Sequence, residues 1–415
     1  MPKRARNIAS IAVLTMVLTA CGGGDSSDTT GGGGTGVTTP TPPPTPTPTP
    51  TPTPPVTGNE EGNAIIQAYL RLDLDAPENY AAPSLPAYYD NTAFALDNTP
   101  DNDPVRDDLA MLGRVLFYDT ALSVNDSISC ASCHQQQFGF DDNERFSEGF
   151  AGGACTGAHA MRLGNARFYE PGEMFWDRRA DSIEDQATQP ILNQVEMGWV
   201  DNGGLAALVT KLQALEYYPV LFAYVFGDEA ITMNRIERAL ANFERAIIST
   251  DSRWDRAYAQ VFDPEAQNRN LNVTLPGFSA SENRGRQLFM GGPNNGGAGC
   301  AACHQPPTFA LNANSRSNGL DAGETTIFKS PSLKNVGLST HFMHDGRFDM
   351  LLDVIVHYDE GVQPGPALDN RLRAGGAPRR LNLSVADRQA LVDFLLTLTD
   401  DALSTDPKFS DPFIR

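Results

Sequence analysis

The chain has 415 residues, of which 31 are lysine or arginine and 51 are aspartate or glutamate, so its formal net charge is −20 at pH 7. A chain this acidic is repelled by phosphate groups, which disfavours nucleic acid as a partner. After a leader segment, the remaining length is sufficient for two domains that each bury a core.

Residues 1–21 have the pattern of a secretory signal. A basic stretch that ends at Arg6 is followed by an apolar run, residues 8–18, that is too short to span a bilayer. Leu18–Cys21 resembles a bacterial lipobox, in which Cys21 is lipidated. We therefore expect a periplasmic protein anchored through Cys21 alone, and Gly22 after the cysteine favours the outer membrane. Ordinary cleavage beside an incidental cysteine is the alternative.

Residues 22–58 consist mainly of glycine, serine, threonine and proline, with a Thr-Pro run over residues 39–55. Such a segment has almost no apolar surface to bury, so we expect a disordered tether. Its proline content predicts an extended, semi-rigid chain that holds the folded part away from the membrane.

Two copies of a Cys-x-x-Cys-His motif follow, at Cys130, Cys133 and His134 and at Cys300, Cys303 and His304. This motif is the attachment site of c-type haem: the thiols bind the vinyl groups and the histidine is the proximal iron ligand. A zinc half-site or a redox cysteine pair would not explain a histidine directly after both pairs. The sequence therefore predicts two covalently bound haems. With Cys21 lipidated, only Cys155 is left over, so no intramolecular disulfide is expected.

The two motifs share a local frame, which predicts a mostly α-helical fold of two cytochrome c-like domains in tandem, residues 59–270 and 271–415. Gly113–Phe117 precedes the first motif and Gly285–Phe289 the second, each with the pattern Gly-Arg-x-Leu-Phe. In cytochrome c folds such a helix packs closely on a C-terminal helix through its glycine. We expect these two helices at 107–117 and 281–289, with Ser281 or Glu282 near the second cap and 384–399 as the second helix's partner. Further helices are predicted at 183–194, 204–215, 231–248 and 350–358.

The span from Leu109 to Tyr358 resembles the bacterial di-haem cytochrome c peroxidases and their MauG-type relatives. The resemblance is carried by Leu112–Phe117 with Leu122-Ser123, Phe175–Ala180, Glu184–Ala187 running to Pro190, Glu196–Gly198, Pro331–Val336 and His344–Phe348. It implies an oxidoreductase of the cytochrome c peroxidase type. Hydrogen peroxide would be reduced to water at the His134 haem, and a periplasmic donor such as a small cytochrome c would deliver electrons through the His304 haem.

Carried over by position, the resemblance implies four residues with catalytic roles. Gln186 and Glu196 match the distal pair of the peroxide-reacting haem, Pro190 matches a residue that shapes that pocket, and Trp176 matches the aromatic residue between the haems. A carboxylate can take a proton from one peroxide oxygen and return it to the other, while an amide can orient the peroxide. Glu196 is therefore our general acid–base residue.

The sixth iron ligands depart from the usual peroxidases. His159 is the only candidate for the sixth ligand of the first haem, with ligation or a structural place both open, and we expect an open first haem. The family's usual methionine on the second haem falls on Tyr358, which shares a predicted helix face with Ile355. The alternative is a core tyrosine, with Met343 or His341 on the iron.

The resemblance further implies a calcium ion near the backbone oxygens of Ser330 and Pro331, and a homodimer, because dimers are common among relatives. The acidic charge is either a solubility feature or a means of steering a basic electron donor. Two other functions stay open: a MauG-like oxidase that draws electrons from aromatic residues of a partner protein, and a non-enzymatic di-haem electron carrier.

Overall fold

The computed structural model describes residues 60–310 and 315–415. The expected signal segment, Cys21 and the tether lie outside these residues. The predicted mostly helical fold is confirmed, with these α-helices: α1 (Glu60–Tyr69), α2 (Asn91–Phe94), α3 (Asp107–Tyr118), α4 (Cys130–Cys133), α5 (Ile183–Leu192), α6 (Gly204–Gln213), α7 (Tyr217–Phe226), α8 (Met233–Ala246), α9 (Arg253–Ala259), α10 (Ala280–Met290), α11 (Leu351–Val356), α12 (Val385–Leu396) and α13 (Asp401–Thr405). One antiparallel hairpin joins β1 (Arg373–Ala374) to β2 (Ala377–Pro378). Within the described ranges, no helix has the length and hydropathy that crossing a membrane requires.

Two closely crossed helix pairs form the frame of the fold. At Gly113 of α3, a β-carbon would lie 1.9 Å from the Ala239 carbonyl oxygen of α8. At Gly285 of α10, it would lie 1.8 Å from the Ala390 carbonyl oxygen of α12. Only glycine permits such an approach. The predicted partner of the second helix is confirmed, and both glycines occupy equivalent crossings.

Helix ends differ from the predicted ones where caps or tertiary contacts decide them. The cap of α10 is Ser279, whose hydroxyl accepts from the Glu282 backbone N–H in a capping box, so the predicted cap at Ser281 or Glu282 is wrong. The helix predicted at 350–358 stops being α-helical at Val356 and continues as a π-helical turn, His357–Gly361. Helix α7 has no amphipathic pattern and was not predicted, because most of its residues are apolar and face the core.

Two hydrophobic cores surround these helix pairs. The first gathers α3, α7 and α8 and also includes Phe409 from the C-terminal segment. The second gathers α10 and α12 together with Tyr88 and Trp254, which both precede residue 270. The chain therefore crosses between the cores, which do not divide at residue 270. The division into tandem domains stays a prediction.

A buried ion pair ties the Pro331–Val336 segment to α9. The Lys334 ammonium donates to both carboxylate oxygens of Asp255, and both side chains are fully buried. The Tyr88 hydroxyl donates to the same carboxylate at 2.9 Å. Lys334 Nζ also lies 5.2 Å from the centroid of the Trp254 ring. This pair connects two segments of the chain that are far apart in sequence.

Candidate functional site

The first attachment motif lies on α4 and the residue after it. His134 Nδ1 is 3.2 Å from the Phe140 carbonyl oxygen, so Nδ1 carries the proton and Nε2 is the nitrogen left for a metal. Burial lowers the pKa of His134, which keeps the ring neutral as a metal ligand must be. Burial also raises the pKa of the Cys133 thiol to about 11. These groups fit an attached haem with His134 as its proximal ligand.

The second motif opens onto a cavity of about 390 Å³. His304 Nδ1 is 3.2 Å from the Pro331 carbonyl oxygen, and burial lowers the pKa of His304 to about 4. Cys300, Cys303 and His304 line one part of the cavity, and apolar side chains such as Leu391 line another. The cavity volume lies within the range of ligand pockets.

A buried nitrogen without a hydrogen-bond partner indicates which kind of group the cavity holds. Arg379 lines the cavity, and its Nε is buried without a hydrogen-bond partner. A carboxylate would satisfy that donor, and a haem carries propionate carboxylates at one edge. Together with two thiols and a neutral imidazole, this donor set fits a c-type haem held through Cys300, Cys303 and His304.

The structure places the predicted distal residues on α5 and the loop after it. Gln186 and Pro190 lie one helical turn apart on one face of α5, which begins at its cap Ser182. Glu196 follows in the loop, where its backbone N–H donates to Asn193 Oδ1 at 3.1 Å. Burial raises the pKa of both motif thiols, and the Glu196 carboxylate is close enough to add to that rise. Burial raises the pKa of Glu196, and the positive charge of Arg179 opposes that shift.

Trp176 lies against the second haem cavity and is fixed by two main-chain hydrogen bonds. Its Nε1 donates to the His159 carbonyl oxygen at 2.8 Å. Its own carbonyl oxygen accepts from the Lys329 backbone N–H at 2.8 Å. Since Trp176 also lines the cavity that contains His304, its indole is held beside the second haem site.

Both ring nitrogens of His159 are engaged. Nδ1 is 3.2 Å from the carbonyl oxygens of Glu144 and Arg145, and Nε2 is 3.1 Å from a carboxylate oxygen of buried Asp141. Burial alone would lower the pKa of His159, but the Asp141 carboxylate reverses this effect and raises it. The ring and the carbonyl of His159 therefore connect the loop after the first motif to Trp176, and neither ring nitrogen is free for iron.

Three candidate ligands for the second haem line its cavity: Tyr358, Met343 and His341. Asn318 Nδ2 lies 3.3 Å from Met343 Sδ and 3.5 Å from the Tyr358 hydroxyl, so these two groups are neighbours. His341 Nδ1 is 3.0 Å from an Asp349 carboxylate oxygen. Burial raises the pKa of Tyr358 to about 12. Ligation by Tyr358 stays a prediction.

We expect Tyr358→Phe to change the optical and EPR spectra of the second haem in the haem-loaded protein, because the substitution removes the phenol oxygen and little else. Met343→Leu is the matched control, since Met343 lines the same cavity, and it should leave both spectra unchanged. Spectra that change only in Met343→Leu would assign the iron to the thioether instead.

The residues predicted to bind calcium lie beside the second motif. The Pro331 carbonyl oxygen accepts from His304 Nδ1, and the Ser330 hydroxyl is 3.3 Å from the Cys303 carbonyl oxygen. Both residues therefore orient the attachment segment, and a calcium ion there stays a prediction. Sequence reasoning missed Asn318 and Arg379, which reach the cavity only through the fold; four arginines within residues 371–380 were the available signal for Arg379.

Comparison with known proteins agrees with this geometry. The family model of the di-haem cytochrome c peroxidases matches residues 107–261 and 280–375. The methylamine utilization protein MauG of Methylorubrum extorquens is 31% identical over 316 residues, covering 72% of this chain and 80% of that protein. The cytochrome c551 peroxidase of Nitrosomonas europaea is 28% identical over 267 residues, covering 59% of this chain and 70% of that protein.

Solved structures show the same fold. A MauG-like protein associated with microbial copper homeostasis is 28% identical, with a TM-score of 0.62 over 82% of this chain and 99% of that one. The diheme peroxidase BthA of Burkholderia thailandensis is 21% identical, with a TM-score of 0.58 over 75% of this chain and 91% of that one. Because the family match includes both attachment motifs and more than half of the residues, this chain belongs to the di-haem cytochrome c peroxidase family, which implies c-type haems on His134 and His304.

Proposed function

We propose that the protein is a periplasmic peroxidase that reduces hydrogen peroxide to water at the His134 haem. Electrons would come from a small donor protein and enter through the His304 haem. The observation that carries this proposal is the Glu196 carboxylate, which is half-buried and close to the Cys130–Cys133 segment. The bound haem would supply an iron at which peroxide binds and its O–O bond is cleaved.

The chain's own contribution at the first haem is proton transfer and orientation. Glu196, as a carboxylate, takes the proton from the oxygen nearer the metal and returns it to the leaving oxygen, which then departs as water. The bond from the Glu196 N–H to Asn193 Oδ1 holds the loop, and the amide of Gln186 on α5 orients the substrate. The Phe140 carbonyl keeps the His134 ring in one tautomer.

The raised pKa of Glu196 predicts the direction of the pH dependence. Activity requires the carboxylate form at the start of the reaction, so kcat/KM falls as the pH drops through this raised pKa. Arg179→Gln removes the charge that opposes the shift, and we expect the acid limb of the profile to move to higher pH. The profile of Arg256→Gln, which changes an exposed arginine on α9, should match the wild type. An acid limb that stays in place in Arg179→Gln would contradict the assignment.

A MauG-like oxidase of a partner protein is the second candidate. Tyr358 lines the second cavity where the family's usual peroxidases have methionine, and the MauG relative is no less similar than the peroxidase relative. In this function the oxidising equivalents would be reduced by aromatic residues of the partner. The non-enzymatic electron carrier would leave Glu196 without a role.

We further propose the features that the sequence predicts beyond the family itself. These are two cytochrome c-like domains, a lipid anchor on Cys21 at the outer membrane, calcium near Ser330 and Pro331, and a homodimer. Calcium is supported by the resemblance, and the anchor and its periplasmic location by the signal segment and the cysteine that ends it.

A stoichiometric titration of the fully oxidised, haem-loaded protein with hydrogen peroxide tests the proposed function. We expect a high-spin haem signal that is lost with one equivalent of peroxide and restored by two electrons. Optical and EPR spectra report both steps. Low-spin haems that do not respond to peroxide in either the oxidised or the half-reduced protein would support the electron carrier instead.

A further inference from the structure

Four arginines beside the second haem cavity have no acidic partner among the described residues. Arg316 donates to the Pro366 carbonyl, Arg373 to Gly365 and Leu368, Arg379 to Asn294 Oδ1 and the Arg373 carbonyl, and Arg380 to Val362. Among the described residues only neutral acceptors meet these guanidinium groups, so no carboxylate of the protein neutralises their positive charges. We call these four residues the arginine patch.

The patch is positively charged, in contrast to the acidic chain as a whole. Residues 370–386 contain four arginines, three of which belong to the patch, and no aspartate or glutamate, although the chain as a whole has a net charge of −20. The β1–β2 hairpin carries Arg373 at its start and Arg379 just after its end. Arg373 Nη2 lies 2.7 Å from the Gly365 carbonyl oxygen, which fixes the guanidinium in place. Arg380 is exposed.

Haem binding accounts for only part of this charge. Arg316, Arg371 and Arg379 line the cavity, and Asp369 pairs with Arg371. The propionate pair of a haem and the Asp369 carboxylate together balance these three cations. Arg373 and Arg380 are not among the residues that line the cavity, and their charges are left over once the haem is in place.

The patch also adjoins the segment that attaches the second haem. Arg379 Nη1 is 3.4 Å from Asn294 Oδ1, and Arg371 Nη1 donates to the Ala302 carbonyl at 3.0 Å, between the two cysteines of the motif. A protein that docks on these arginines would therefore bring its own redox centre close to the edge of the second haem.

We propose that the arginine patch is the docking surface for an acidic protein partner that exchanges electrons with the second haem. This inference rests on the proposed function only in that the second haem is the point of electron entry. At physiological ionic strength the Debye length is about 8 Å, so a partner in contact responds to the patch rather than to the net charge. This proposal therefore differs from the reading in which the net acidic charge steers a basic donor. Here the positive patch attracts an acidic donor.

The test uses one small redox protein in two charge states. The probes are a lysine-rich cytochrome c and the same cytochrome after succinylation of its lysines. Each reduced probe is mixed, without peroxide, with the oxidised di-haem protein. In this step the probe iron loses one electron and the second haem gains it. We expect the succinylated probe to react about tenfold faster or more near 0.15 M salt. Arg373→Glu with Arg380→Glu should abolish this preference and weaken calorimetric binding of the oxidised succinylated probe.

Arg71→Glu with Arg256→Glu is the matched control, because it makes the same change in net charge at two exposed arginines outside the patch. Faster reaction of the lysine-rich probe with the wild type, or an equal loss in the control variant, would overturn the proposal. A lipid-binding role would replace the proposal if the wild type sediments with phosphatidylglycerol vesicles, the patch variant alone does not, and the two probes react equally fast. Peroxide turnover with uncharged hydroquinone reports the proposed function separately, because it does not require the patch.

Discussion

We expect Glu196→Gln to lower kcat for the proposed reduction of hydrogen peroxide by about 10²–10⁴-fold, the usual contribution of a positioned acid–base group. The amide has nearly the same shape as the carboxylate and can still accept a hydrogen bond, but it cannot take up a proton and return it. The expected loss is therefore in the chemical step. Steady-state rates with hydroquinone as reductant, on protein with both haems attached, measure it.

Glu265→Gln provides the control for this prediction, because Glu265 is exposed and belongs to the loop after α9. It should retain the wild-type kcat and the wild-type haem spectra. A Glu196→Gln variant with full haem content and unchanged kcat would remove Glu196 from the reaction. It would also leave the carrier function as the better account of the chain.

Lys334→Met lowers the free energy of unfolding by about 3–5 kcal/mol, because it leaves the Asp255 carboxylate buried without its cation. Asp255 is also the residue whose side chain completes the capping box of α9. The substitution therefore disturbs the second core from inside. Urea denaturation followed by far-UV circular dichroism measures the change.

The control for Lys334→Met breaks a solvent-exposed ion pair of Arg256, which lies on α9 next to Asp255. Arg256 Nη1 is 3.1 Å from an Asp251 carboxylate oxygen, and both side chains are more than half exposed. Arg256→Met should change the free energy of unfolding by less than about 1 kcal/mol. Similar losses in the two variants would mean that burial of the Lys334 pair contributes nothing specific.

What could be predicted from the sequence follows from how local each signal is. The haem motifs and the helices that carry Gly113 and Gly285 depend on a few adjacent residues, and the structure has these helices where the patterns indicate. The partner of α10 could be predicted because one segment near the C-terminus has apolar residues at helical spacing behind an N-cap serine, Ser384. The cap at Ser279 was missed by two residues, since several polar residues there could serve as a cap.

Features assembled from distant segments could not be predicted. The Asp141–His159 contact joins two loops, and the sixth-ligand neighbours Met343 and Tyr358 meet through Asn318 from a third segment. The run of arginines does not show that Arg379 lines the cavity or that its Nε is buried without a hydrogen-bond partner. In each case the decisive quantity is a distance between segments, which periodicity and motif spacing do not contain.

The acceptor of the Trp176 indole N–H has a consequence for electron transfer. A backbone carbonyl does not take up a proton in water at ordinary pH, so the bond to the His159 carbonyl gives the indole nowhere to send its proton. If Trp176, which matches the family's aromatic residue between the haems, relays electrons, the oxidised indole would remain a protonated cation. Inter-haem transfer would then proceed at the same rate in H₂O and D₂O, and the tryptophan would conduct charge without storing it.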